Sequence, residues 1–328
     1  MTNLFLFFIS LTSLLWPHFS SAKTQTIKAF RPWWSESLFQ YETFHSIGNY
    51  DSAGRLESLP SSNSFWETST LDYAHRYVFS RHFAMTAGIN YVQVQGNVGQ
   101  ATKYNSGFQT LKGGIEYKLE ADFADFLFEG TAGLALFRPN SSSTSPLYGD
   151  GAHSLGTNLW ILKKMGGLQW LAKAGVLYRT EGLSSLLPYQ LGVHWPVGNW
   201  LLGAVFDGAT SITTDSQDET DRTNYLRRTS VGSLNYRSAN PTANFLDLQF
   251  KWNATKQFAL TGGVGNSLLG YSSADGRRIF VGVDIQWQVY LQPTEPMPFK
   301  NAVPKPSKPA IKEADTPLYQ EEDLQQDL

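Results

Sequence analysis

The chain has 328 residues, no cysteine, 26 Lys and Arg against 28 Asp and Glu, 16% charged residues and 14% aromatic ones. A formal charge of −2 lacks the basic surplus of a general nucleic-acid binder, and without cysteine neither a disulfide framework nor a thiolate metal site is possible. Low charge beside abundant rings suits an apolar surrounding, yet beyond Trp16 no run approaches the roughly 18 apolar residues of a membrane-spanning helix.

Residues 1–22 read as an export signal. Leu4 to Trp16 is apolar, Pro17 ends the run, and Ser20-Ser21-Ala22 sets small residues before Lys23. Met1-Thr2-Asn3 departs from the usual pattern in carrying no basic residue. Residues 23–36 form a separate N-terminal segment. Its Phe30-Arg31-Pro32-Trp33-Trp34 stretch is aromatic but short and broken by proline, a poor strand. Two roles are open for Trp33 and Trp34: a hatch folded into a lumen, or anchors at a membrane interface.

From residue 37 to 291 the hydrophobic period is two. Ile279, Val281, Val283, Ile285, Trp287 and Val289 alternate with Arg278, Phe280, Gly282, Asp284, Gln286 and Gln288, giving one apolar face and one that is largely polar or glycine. The same pattern predicts strands over 37–47, 66–79, 83–95, 107–119, 125–137, 154–164, 168–180, 186–195, 200–211, 244–252, 258–270 and 277–290. Most are as long as the roughly 9–11 tilted residues that cross a bilayer, and longer than the five or six common in soluble sheets. Short connections (80–82, 120–124, 165–167, 196–199, 253–257) alternate with mostly longer ones (48–65, 96–106, 138–153, 211–243), though 181–185 and 271–276 are short too. Phe79, Phe83, Tyr117, Phe126, Trp195, Trp200, Trp252 and Phe258 flank the short turns, and Trp66, Tyr91, Phe137, Tyr178 and Tyr271 lie at the opposite strand ends, as two interfacial girdles would require.

With period, parity, loop asymmetry and rings taken together, the chain resembles the bacterial outer-membrane β-barrel class, of porin or channel type. The resemblance covers roughly residues 37–290 and rests on architecture, without a motif of any one family. It implies an all-β fold: a single antiparallel transmembrane barrel of about twelve strands, with outer-membrane lipid around it and the short turns in the periplasm. The strand from Phe280 to Tyr290 is similar to the signal read by the barrel-assembly machinery, although 38 residues follow Tyr290 here. Within that stretch, residues 292–328 include Pro293, Pro296, Pro298, Pro304, Pro306 and Pro309 and end in acidic Glu321, Glu322, Asp323 and Asp327. Such a composition predicts a disordered periplasmic tail, free to reach a periplasmic or cell-wall partner.

The alternation places Asp72, Arg76, Lys112, Glu116, Lys118, Glu129, Lys173, Arg179, Asp207, Asp247, Lys251, Arg278 and Asp284 on the inward face. Two uses are open for these charges: a polar lining that guides a small solute, or mutual pairing that fills the lumen. Inward glycines, among them Gly88, Gly114, Gly133 and Gly265, leave room for the first. The Trp33–Trp34 segment, resembling the plugs of barrels that carry fatty acids and aromatic hydrocarbons, keeps a gated hydrophobic-solute channel open as an alternative. A closed barrel that anchors the tail or binds through its loops is another. Outer-membrane lipid hydrolases use a Ser–His pair, and His45-Ser46 and His153-Ser154 are the candidates; neighbours on a strand point to opposite faces, so neither pair aligns by itself. Asp215, Asp218, Glu219 and Asp221, followed by Arg222, Arg227, Arg228 and Arg237, lack the spacing of a calcium loop and read as a solvated loop. The six histidines show no metal-ligand spacing, and no catalytic residue or cofactor is expected.

Overall fold

A sheet with one apolar and one polar face is most stable when its two edges meet, because closure satisfies every edge hydrogen bond. In a computed structural model, residues 30–59, 64–98, 101–138, 145–216, 233–236 and 238–289 are described. Among them thirteen strands form one sheet: β1 (Trp34–Tyr50), β2 (Leu56–Ser58), β3 (Phe65–Val78), β4 (Phe83–Val98), β5 (Ala101–Ala121), β6 (Ala124–Ala135), β7 (Ser154–Met165), β8 (Leu168–Arg179), β9 (Leu186–Val197), β10 (Trp200–Ser211), β11 (Thr242–Asn253), β12 (Phe258–Tyr271) and β13 (Ser273–Gln288). β2 pairs only with the end of β1. The other twelve run antiparallel to their neighbours, and β13 returns to β1 with Trp34 opposite Gln288 and Tyr50 opposite Ser273. That closes a twelve-stranded barrel. The signal-peptide and tail expectations lie outside the described residues.

Several boundaries differ from expectation. β1 starts at Trp34 rather than at 37, because Trp34, Ser35 and Glu36 find partners on both sides, in Val78, Tyr77 and Arg76 and in Gln288, Trp287 and Gln286. The expected loop 96–106 is instead a continuation of the β4–β5 hairpin, with Gln95 opposite Tyr104 and Asn97 opposite Thr102. Its outward Gln93, Gln95 and Asn97 look like loop residues only because they are polar; the ladder runs on past the apolar zone. The last connection shrinks to Ser272, whose positive φ of 43° turns β12 into β13.

Outward rows carry Leu71, Met85, Ile115, Leu134, Leu155, Leu191, Leu248 and Val281, all exposed. So continuous an apolar exterior is incompatible with water and matches the lipid-facing band of a transmembrane barrel. Aromatics gather at the short-turn end, where Phe79 and Phe83 stack at 6.0 Å, Phe83 meets Tyr117 at 4.9 Å and Trp200 stacks on Trp252 at 5.9 Å. Gly166 and Gly167, at φ 61° and 79°, supply the left-handed pair that a two-residue hairpin turn requires. At the long-loop end Tyr91, Tyr178 and Tyr271 are exposed, but Trp66 is fully buried and Phe137 packs with it in the interior. Trp66 shares the inward parity of Thr68, Thr70 and Asp72, which overrides its interfacial preference.

Candidate functional site: the barrel interior

Three zones divide the interior. At the long-loop end, Leu59, Leu147 and Tyr236 come from three different loops and pack on inward-facing Phe44, Trp66, Val92, Val94 and Phe245. Phe44 and Phe245 meet edge to face at 6.0 Å, as do Trp66 and Tyr236 at 5.9 Å. Polar ties hold the loops beside this cluster. Arg179 donates from Nε to the Ser184 carbonyl at 2.9 Å and from a terminal nitrogen to Asp150 at 3.0 Å. Asp215 accepts the Ser184 and Asn240 backbone N–H groups. Asp215 is therefore buried, not solvated as its acidic neighbourhood suggested; Asp218, Glu219, Asp221, Arg222, Arg227, Arg228 and Arg237 lie outside the described residues.

The second zone, along β10 to β13 and β1, is filled by charge. Arg278 is fully buried and donates from Nε to one oxygen of Asp247 at 2.8 Å and from a terminal nitrogen to the other at 2.6 Å, while also reaching Asp207. The guanidinium lies 4.3 Å over the Phe245 ring. Lys251 and Asp284 pair at 2.6 Å, and Glu42 and Gln40 are buried beside them on β1. The space left by Gly265 is occupied, since a Cβ there would run into the Asp247 carboxylate.

The third zone, along β3 to β8 with Leu38 of β1 at its edge, holds a cavity of about 250 Å³ lined by Leu38, Asp72, Lys112, Glu129, Thr131, Ser154 and Leu177 among others. Lys112 stands opposite Gly88 on one neighbouring strand and Gly133 on the other, so no side chain stands directly across from it on either side. Its ammonium is 3.7 Å from Asp72 and the side chain is 50% exposed. The Glu129 carboxylate accepts hydrogen bonds from Asn158 at 3.0 Å and from the Trp160 indole at 3.3 Å. Lys173 lies 4.8 Å over the same Trp160 ring. Toward the short-turn end, Arg76 donates to the buried Glu116 at 2.7 Å and sits 3.6 Å from Glu36, and Lys118 bridges Glu120 at 2.8 Å and Asp125 at 3.0 Å.

Phe30 enters this last region. It packs on an inward apolar cluster of Leu127, Trp160, Leu162 and Leu171, with the Arg76 guanidinium 4.5 Å over its ring. Of the two expected hatch residues, Trp34 is the first residue of β1 with Arg31 over its ring at 5.0 Å, and Trp33, at φ 66°, is exposed. Both strand neighbours hold them there, through the Trp33 N–H to the Val78 carbonyl and the Val289 N–H to the Trp33 carbonyl, each at 2.7 Å.

Neither Ser–His pair assembles. His45 points outward to Glu67 at 2.7 Å, while the Ser46 hydroxyl is buried on the other face and donates to the Gly48 carbonyl at 3.1 Å. His153 Nδ1 accepts the Ala135 backbone N–H at 3.1 Å, a structural bond that anchors the start of β7. Among the described residues no group of three or more His, Asp or Glu side chains is placed to hold a metal ion. Sequence reading missed Glu36 and Glu42, and named Phe30 only as part of the aromatic segment around Trp33 and Trp34. For the two carboxylates the signal was available, since both share the parity of Gln40 on β1; for Phe30, upstream of the first strand, parity offers nothing.

No family model matches the chain, and no curated protein matches it either. Among solved structures, the COG4313 outer membrane channel from Pseudomonas putida F1 superposes with a TM-score of 0.61 at 11% identity, over 82% of this chain and 100% of that one. The fold is that of the bacterial outer-membrane β-barrel class. KdgM porin reaches a TM-score of 0.45 at 9% identity over 77% of this chain and 99% of its own. The translocator domain of autotransporter NalP from Neisseria meningitidis reaches 0.44 at 10% identity, over 77% of this chain and 88% of its own. Of these three, only the first exceeds 0.5, and at 11% identity it speaks to architecture alone.

Proposed function

We propose that the chain is an outer-membrane channel through which small solutes pass passively, with the short turns in the periplasm. The carrying observation is the divided interior: charge pairs fill the wall from β10 to β1, while the β3–β8 wall keeps a cavity around Lys112, Asp72 and Glu129. A polar conduit off the barrel axis follows from this division, with Asp72, Lys112 and Glu129 as its lining and Asp207, Asp247, Lys251, Arg278 and Asp284 as the packing of the opposite side. Twelve strands suit such a conduit, lying between eight-stranded barrels that side chains fill and sixteen-stranded ones with open channels. No chemical step is needed.

A second reading is favoured by the apolar groups at both ends of the interior, the loop cluster around Trp66 and the Phe30 contact. In it, both are constrictions that part for an apolar solute. Single-channel conductance of the refolded chain in a planar bilayer tests the first reading. Reproducible steps are expected, and a heat-modifiable, folded barrel that stays silent would refute it. Phe30→Ala separates the two: a larger leak supports the constriction, and an unchanged one removes it.

A further inference from the structure

Charged groups in the interior differ sharply in how tightly they are held. Arg278 lies on two buried carboxylates, Lys251 is 2.6 Å from Asp284, and Lys118 is within 3.0 Å of two acids. Lys112 contrasts with all of them. Its contact to Asp72 is 3.7 Å and half of its side chain is open to the cavity, because the glycines opposite it give nothing to pack against. Glu129, lining the same cavity, is held by the neutral donors Asn158 and Trp160. One cation and two carboxylates thus face a common volume of about 250 Å³, with Leu38 and Leu177 supplying apolar wall.

We propose that this cavity binds a small zwitterion bearing a short aliphatic group. The carboxylate of the ligand sits on Lys112, its ammonium on Asp72 and Glu129, and its aliphatic part against Leu38 and Leu177. The charge count selects the class. A simple anion would meet two carboxylates and a simple cation would meet Lys112, whereas a zwitterion satisfies both signs at once, and complementarity of this kind sets specificity. The inference rests on the channel reading for how the ligand reaches the cavity, but binding itself is measured apart from conduction.

The probe is L-leucine, titrated into the refolded full barrel in detergent by calorimetry, beside 4-methylvalerate and isoamylamine, which keep one charge each. Leucine is expected to bind at least about tenfold more tightly than either, the worth of one further charge-assisted hydrogen bond. Lys112→Met and Glu129→Gln should each weaken leucine by a similar factor, with Lys112→Arg restoring much of it. Each variant is first shown to give the heat-modifiable folded species; if Glu129→Gln does not fold, Lys112→Met and Lys112→Arg decide, since the Lys112 side chain is half exposed. Leucine binding no better than its two analogues, or unmoved by Lys112→Met, overturns the proposal. Leucine binding by a barrel that conducts nothing would sink the channel reading and leave the site standing; conduction without leucine preference would do the reverse.

Discussion

Replacing Arg278 by Met is the most informative single perturbation of this barrel. Arg278 is fully buried, holds both oxygens of Asp247 at 2.6–2.8 Å and also reaches Asp207, so its loss strands two buried carboxylates in one pocket. Breaking a buried ion pair by removing one partner costs about 3–5 kcal/mol, because the remaining charge keeps its desolvation cost and loses its attraction. At about 1.4 kcal/mol per decade, that is a drop of two to nearly four decades in the folding equilibrium. The triple variant Asp207→Asn, Asp247→Asn, Arg278→Met removes the charges together and is expected to recover most of the loss, since replacing a whole buried charge group is often close to neutral. The assay is reversible urea unfolding in lipid vesicles, followed by tryptophan fluorescence and by gel mobility of unboiled samples. A single variant that loses less than about 1 kcal/mol, or a triple variant no more stable than the single, would show that lumen water solvates these groups and that this half of the interior is not filled.

Other expectations follow from the outer face, the loop cluster and the first loop. Ile115→Arg or Val281→Arg, on exposed outward positions of the apolar band, should destabilise the barrel in bilayers by about 2–4 kcal/mol if near the midplane, and a cost near zero would place those positions outside the lipid. Trp66→Ala should cost about 3–5 kcal/mol by cavity formation, and should also raise channel leak if the cluster constricts the path; destabilisation without added leak would confine it to a structural role. Asp51 accepts the backbone N–H groups of Arg55 and Ala53 at 2.7 and 2.8 Å, and these bonds, the Arg55 one foremost, hold its carboxyl below the ordinary carboxylate range. A depressed folded-state value stabilises the 51–55 turn above the ordinary range and is lost as pH falls through the depressed value. Amide exchange of Ala53 and Arg55 should therefore accelerate, relative to the intrinsic rate, only in acid; Asp51→Asn should flatten that dependence, and an Asp51→Asn profile identical to the parent would refute the assignment.

Much of the barrel is written in the strands because burial on one side and lipid on the other leave each residue a binary choice. Ile279 through Trp287 show it plainly, and β7, β8 and β10 match their expected spans to within a residue or two. Polarity misleads where a strand leaves the apolar zone, as at Gln93, Gln95 and Asn97, since hydrogen-bonded pairing continues after the reason for alternation has ended. The first three residues of β1 were obscured by Pro32 and the double tryptophan. The interior is harder to read. Parity assigns Arg278 and Lys112 to the same face, but not that one is enclosed by two acids and the other flanked by glycines, because that difference depends on which strands become neighbours. Trp66 shows the same limit: its side was legible, but the loop residues that cover it were not.

The loop cluster also has a consequence for the order of assembly. It joins Phe44 of β1 and Trp66 of β3 to Phe245 of β11 and Ala274 of β13, elements that become neighbours across the seam where the last strand meets the first. Before that seam zips, the contacting residues are separated by nearly the whole length of the sheet, and the entropy of closing so large a loop opposes their meeting. The cap is therefore a late event in biogenesis. Fluorescence from Trp66, quenched or shifted on burial, would clock the sealing of the ring rather than the insertion of its hairpins.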